Sequence, residues 1–174
     1  QRSPADQRFG ERRERRCAMA EVILSHVTKR FGDTLALDDL SLTIADGEFV
    51  VLLGPTGAGK TTTLRLIAGL ETPDQGSIAI GGHDMTRAAP SVRDVAFVFQ
   101  QYSLYPHLTV YDNLAFPLRS PTRRTPADEI DRKVRDIAKL LQIETKLSNK
   151  ATQLSGGQMQ RVAIGRALVR DPAI

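Results

Sequence analysis

Residues 54–61 read Gly-Pro-Thr-Gly-Ala-Gly-Lys-Thr. No other stretch constrains the fold as tightly. It fits G-x-x-x-x-G-K-[ST], the phosphate-binding loop known as Walker A. Gly54, Gly57 and Gly59 let the backbone turn tightly and come close to a ligand, because they carry no Cβ. Successive N–H groups then face one concavity that suits phosphate oxygens. Lys60 brings a cation to the β- and γ-phosphates, and the Thr61 hydroxyl is a ligand for Mg²⁺. Pro55, Thr56 and Ala58 complete the loop, and Thr62 follows it into the next element. The flanks suit the motif. Phe49–Leu53 is a continuous apolar run of buried-strand type. From Thr61 to Leu70, Leu64, Ile67 and Ala68 are spaced for one helical face. The loop is therefore expected between a strand and a helix N-terminus, where the helix dipole favours anions.

The chain of 174 residues is long enough for one domain with a real core. Its one cysteine, Cys17, excludes an internal disulfide. No apolar run approaches the ~20 residues that span a bilayer, so membrane association is expected to be peripheral. The net charge of +4 is unevenly placed. Residues 1–18 hold six arginines against Asp6, Glu11 and Glu14, while the body is nearly neutral. The body therefore gives no case for nucleic-acid binding. The arm reads as a disordered basic extension, and Met19 as the natural start. The arm lacks the apolar segment of a secretory signal.

Val22–Phe31 reads as a strand running into a turn at Gly32-Asp33. Leu40–Ile44 alternates apolar and polar, as a half-buried strand does. Asp46-Gly47 is a turn, Pro73–Gly76 another, and Ser77–Ile80 a short strand. Val95–Phe99 reads as a further strand ending at Gln100. From Leu108 the pattern becomes helical, to about residue 152. Thr109 caps a helix with Asp112 three residues on, and Pro117 must end or kink it. Thr125-Pro126 predicts an N-cap with proline at the first helical position. Ile130, Val134, Ile137 and Leu141 form one apolar stripe, read as packing.

Leu154-Ser155-Gly156-Gly157-Gln158 opens another helix, carried on by Val162, Ala163, Ala167 and Val169. Ser155 with Gln158 is a capping box. Two glycines in a first turn cost helix stability, up to ~1 kcal/mol each in a helix interior. Either the helix is an ordinary capped one, or its start is kept bare as a second anion site.

Taken with the Walker A loop, LSGGQ resembles the signature of the ATP-binding cassette (ABC) ATPases. The 95 residues from Gly59 to Leu154 suit the transporter members. Gln100, within Phe-Val-Phe-Gln-Gln-Tyr-Ser-Leu-Tyr-Pro-His-Leu-Thr-Val, matches the family's Q-loop. The resemblance gives it contact with Mg²⁺ and the attacking water. Phe31 stands where the family places an adenine-stacking aromatic. Stacking is worth ~1–3 kcal/mol, and Phe keeps the π-face; a buried core Phe is the rival reading. The likeness covers residues 20–174. It is nearest to cassettes of bacterial carbohydrate importers of the maltose and glycerol-3-phosphate type.

The resemblance implies an α/β fold: a P-loop NTPase core, RecA-like and incomplete, with an antiparallel β edge. An inserted helical subdomain is expected at about 101–160, within a partial nucleotide-binding domain spanning 19–174. It implies ATP and Mg²⁺ as cofactors, with Gly54–Thr62 and Phe31 on the chain's own nucleotide. Ser155, Gly156, Gly157 and Gln158 would face that of a second cassette. Thr61 and Gln100 would serve the metal, and Gln100 would be catalytic. The implied partners are a second cassette, alike or different, the permease subunits of a transporter, and indirectly a solute-binding protein. The implied place is the cytoplasmic face of the inner membrane. In the family, Asp171-Pro172-Ala173-Ile174 opens the strand bearing the Walker B aspartate and catalytic glutamate. The expectation is an incomplete cassette, inactive alone. His26, His83 and His107 read as surface or packing residues.

The rivals are weaker. A GTPase would show N-K-x-D, but Asn149-Lys150 is followed by Ala-Thr. Repair cassettes insert a long coiled coil, for which 95 residues leave no room. Translation factors join two cassettes. A catalytically incomplete nucleotide-binding module, or a fragment of a non-transport ABC protein, stays open.

Overall fold

The structure is a computed structural model that describes residues 20–120 and 125–174. The expectations for the arm at 1–18 and for Met19 fall outside them. The described residues form two compact units, 20–95 with Ala173–Ile174, and 96–172.

The first unit carries an antiparallel sheet ordered β2-β1-β3-β4. Its strands are β1 (Val22–Phe31), β2 (Thr34–Ile44), β3 (Gln75–Ile80) and β4 (His83–Asp84). Helix α1 (Lys60–Ala68) lies between β2 and β3 in sequence. β1 has the expected bounds, turning at Gly32-Asp33. The buried side chains change parity along it, from Val22 and Leu24 to Val27. The cause is a register shift between Leu24 and Val27, with His26 at φ 52°. One extra residue in a strand flips the faces beyond it. Val22, Leu24, Val27, Leu37, Leu66, Ile67, Ile78 and Ile80 form the core. Burying Leu66 and Ile67 stabilises by roughly 1.5–3 kcal/mol each.

The α/β class and the antiparallel edge are as expected, with four corrections of detail. Phe49–Leu53 joins no strand among the described residues, and Phe49 is 90% and Leu53 88% exposed. Val95–Phe99 likewise forms no strand. A strand exists through its hydrogen-bonded neighbours, and no described segment pairs with either run. In α1 the buried arc is Thr63, Leu66, Ile67 and Ala68, while Leu64 faces out. The i, i+3, i+4 pattern is displaced by one residue. Gln75 and Gly76 belong to β3 rather than to the preceding turn.

The second unit is helical: α2 (Val110–Ala115), α3 (Ala127–Leu140) and α4 (Gly156–Leu168), with short 3₁₀ turns between them. Thr109 caps α2 by accepting from the Asp112 N–H, and Pro117 sits in the 3₁₀ turn Phe116–Leu118 that ends it. Pro126, not Thr125, is the N-cap of α3, and no side chain closes that end. Asp128 and Glu129 in the first turn oppose the helix dipole instead. The stripe packs as expected: Ile130 and Val134 are buried, and Ile137 and Leu141 lie against the same cluster. Among the described residues no helix is long and apolar enough to cross a membrane.

Candidate nucleotide-binding site

The glycine loop ends directly in α1. Gly54, Gly57 and Gly59 have φ of 155°, 87° and 82°, a region that residues with a Cβ rarely adopt. The Ala58 N–H donates to the Pro55 carbonyl at 3.2 Å, closing the turn. Gly59 is the N-cap of α1 and offers no side-chain cap. The first-turn N–H groups of a helix lack intrahelical acceptors. Here they stay uncapped at the positive end of the dipole, the arrangement that receives an anion. The Lys60 ammonium donates to the Gly54 and Pro55 carbonyls at 2.8 and 2.7 Å. It straps the loop and holds a cation at its mouth. The Thr63 hydroxyl donates to the Gly59 carbonyl at 3.1 Å and is buried. Thr61 is exposed and Thr62 half-buried. Pro55, Thr56, Gly57 and Ala58 are exposed.

Phe31, the last residue of β1, is in the same unit. It is 44% exposed, which excludes a core role. The Lys29 ammonium lies 5.3 Å from its ring centroid. That ammonium is also held by the Thr72 carbonyl at 2.8 Å and Asp74 at 3.3 Å. The ring is thus partly exposed, with an ammonium over one face.

The other residues expected at a nucleotide lie in the second unit. The capping box forms: the Gln158 side chain accepts from the Ser155 N–H at 2.9 Å, and Ser155 Oγ accepts from the Gln158 N–H at 3.4 Å. A Cβ on Gly156 would find only the Tyr102 hydroxyl, at 3.8 Å, and one on Gly157 would find nothing within 4 Å. Neither φ is positive. The chain's own packing and backbone thus do not require either glycine. Beside this helix start is a cleft of about 310 Å³, flanked by Lys146 and Arg161. Gln100 is exposed, in a turn after the irregular run 95–99. His26, His83 and His107 are exposed. His26 Nδ1 pairs with Asp39 Oδ1 at 2.8 Å.

Two buried polar side chains escaped the sequence reading. Asn113 is fully buried. It accepts from the Tyr105 N–H at 2.9 Å and donates to the carbonyls of Tyr105 and Thr109 at 3.1 and 2.9 Å. It thereby fixes the segment that follows Gln100. Arg93 is 2% exposed, and burial lowers its pKa from the ordinary value. Both bind backbone carbonyls, so neither has a side-chain partner whose spacing would have shown it.

A family model described as ABC transporter matches residues 37–174. The chain is 54% identical over 156 residues to the xylose/arabinose import ATP-binding protein XacJ of Haloferax volcanii, covering 90% of this chain and 40% of that protein. It is 52% identical over 162 residues to the trehalose/maltose import ATP-binding protein MalK of Thermococcus litoralis, covering 90% and 43%. It is 52% identical over 156 residues to the sn-glycerol-3-phosphate import ATP-binding protein UgpC of Brucella abortus, covering 89% and 44%. The chain thus spans less than half the length of these relatives. Among solved structures, the dimeric bacterial ABC transporter cassette MJ0796 is similar, with a TM-score of 0.77 and 34% identity, covering 87% of this chain and 70% of that one. A post-hydrolysis state of that cassette is described as bound to ADP and Pi.

Proposed function

The chain belongs to the ABC transporter family, and from that premise we propose that it is the ATP-binding part of an importer for a small carbohydrate or related solute. One observation carries the reading. The chain presents two helix starts that open on glycine: Gly59 before α1, with no side-chain cap and beside the Lys60 ammonium, and Gly156-Gly157 at α4, behind the Ser155–Gln158 capping box, where the chain's own packing does not require glycine. The names of the relatives above, all import proteins, support the solute class.

The chemistry proposed is phosphoryl transfer to water, in which the protein supplies position and charge rather than covalent steps. The N–H groups of the loop and first turn of α1 would hold the phosphate oxygens. Lys60 would neutralise charge at the β- and γ-phosphates while keeping the loop carbonyls as its other partners. Phe31 would take the base. The Thr61 hydroxyl, exposed at the helix start, fits as a ligand for Mg²⁺. Mg²⁺ when bound would offset the phosphate charge. The start of α4, with Ser155, Gly157 and Gln158, would complete the nucleotide site of a second cassette. The partners proposed are that cassette and permease subunits, placed at the cytoplasmic face of the membrane. A solute-binding protein would act through the permease. No nucleic acid is involved.

The test is Ser155→Arg in the protein assembled with its partners. The proposal expects a cassette that still binds ATP but neither dimerises on ATP nor hydrolyses it. Equal loss of binding by the isolated cassette would assign α4 to the chain's own site and overturn the proposed pairing.

A further inference from the structure

Arg93 is the only charged side chain buried among the described residues. Its partners are all main-chain oxygens. Nη1 donates to Leu66 and Ile67 at 2.6 and 3.0 Å, Nε to Ala88 at 3.0 Å, and Nη2 to Thr86 at 3.4 Å. Leu66 and Ile67 belong to the last turn of α1, whose carbonyls have no intrahelical donors. A guanidinium there also meets the negative end of the dipole. The backbone alone already ends the helix, through Gly69 at φ 74° and the bonds Gly69 N–H to Leu66 and Leu70 N–H to Arg65. Arg93 therefore adds something other than termination. It ties the helix end to the segment 86–88. Gly69 has no freedom here, since a Cβ on it would lie 2.5 Å from Arg93 Nε.

The other end of α1 is the phosphate loop. A helix of nine residues is about 14 Å long and marginal by itself, so its direction is set by what grips it. A tilt at the C-terminal turn would re-aim the N–H groups at the loop. We propose that Arg93 is a positioning residue for the phosphate loop: its grip on the Leu66 and Ile67 carbonyls holds α1 so that the loop N–H groups converge on phosphate. This rests on the nucleotide-binding reading above, and it places a determinant of triphosphate affinity at the far end of the helix from the ligand.

The test measures ATP affinity of the folded full chain with a fluorescent ATP analogue. The variants are Arg93→Met, Arg93→Lys and Arg93→Ala, with Lys60→Ala as reference and all readings taken well below each melting point. Arg93→Met should bind at least about tenfold more weakly, equivalent to about 1.4 kcal/mol. Arg93→Lys should fall between it and wild type, and is the variant to read if Arg93→Met does not fold. Millimolar guanidinium should restore affinity to Arg93→Ala but not to Lys60→Ala. A lowered melting point with affinity within twofold of wild type would make Arg93 merely structural and overturn the proposal. Failure of the wild type to bind would instead overturn the nucleotide reading on which it depends.

Discussion

A Cβ added to Gly59 would lie 2.6 Å from the carbonyl oxygen of Ala36 in β2. The loop is therefore seated on the sheet as well as turned by its glycines. Gly59 is doubly constrained, by φ 82° and by a backbone atom that cannot move aside.

Gly59→Ala should therefore lower stability by at least about 1–3 kcal/mol, the usual cost of a non-glycine residue held in such a conformation. Thermal or urea unfolding would measure it. A loss under about 0.5 kcal/mol would show that the loop is free to leave β2.

Gly157→Ala should behave in the opposite way. Nothing lies within 4 Å of the added methyl, so stability should hold or rise by up to ~1 kcal/mol. ATP-driven pairing of cassettes should weaken. The check is a melting curve beside sedimentation with and without ATP. Unchanged pairing would mean that the bare backbone at Gly157 serves no partner's nucleotide.

Asn113→Ala should destabilise the second unit by about 1–3 kcal/mol, because the Tyr105 N–H and two carbonyls lose a buried partner. Hydrogen exchange at residues 105–109 should quicken with it. Unaltered exchange would show that water replaces the side chain without cost.

Asp112 gives a pH dependence of definite sign. Its bond from the Thr109 hydroxyl at 2.6 Å, and then the Arg119 guanidinium at 2.9 Å, hold its carboxyl below the usual carboxylate range. A depressed folded pKa stabilises above the unfolded pKa, near 4, and the gain disappears as pH falls through the lower folded value. Asp112→Asn should therefore flatten the acid limb of stability below about pH 5, and leave its shape above about pH 6 unaltered. Parallel curves for the two proteins across that range would remove Asp112 from the account.

Much of the local geometry at the candidate site could be read from the sequence because its parts are contiguous or closely spaced. Gly54–Thr61 is contiguous, and Ser155 and Gln158 are three apart, so their geometry follows from turn and cap chemistry alone. β1 and the β2 alternation were legible for the same reason. What escaped was non-local. Phe49–Leu53 and Val95–Phe99 have strand composition, but a strand also needs a paired neighbour, which composition does not supply. The inner arc of α1 is displaced by one residue because β2 and β1 choose the face, and Thr63 is as acceptable there as Leu64. Arg93 grips carbonyls 26 and 27 residues away, and no side-chain pattern marks carbonyls.

The most direct test of the central claim is an equilibrium titration of the wild-type chain and Lys60→Ala with a fluorescent ATP analogue, competed by ATP and by GTP. Lys60 Nζ lies within 2.8 Å of two loop carbonyls and carries the cation of the Gly54–Thr61 loop. The wild type should bind saturably and be displaced by ATP more readily than by GTP, and Lys60→Ala should lose at least tenfold in affinity, the cost of about 1.4 kcal/mol or more for a charge-assisted contact. Equal affinity in the two proteins would contradict the central claim.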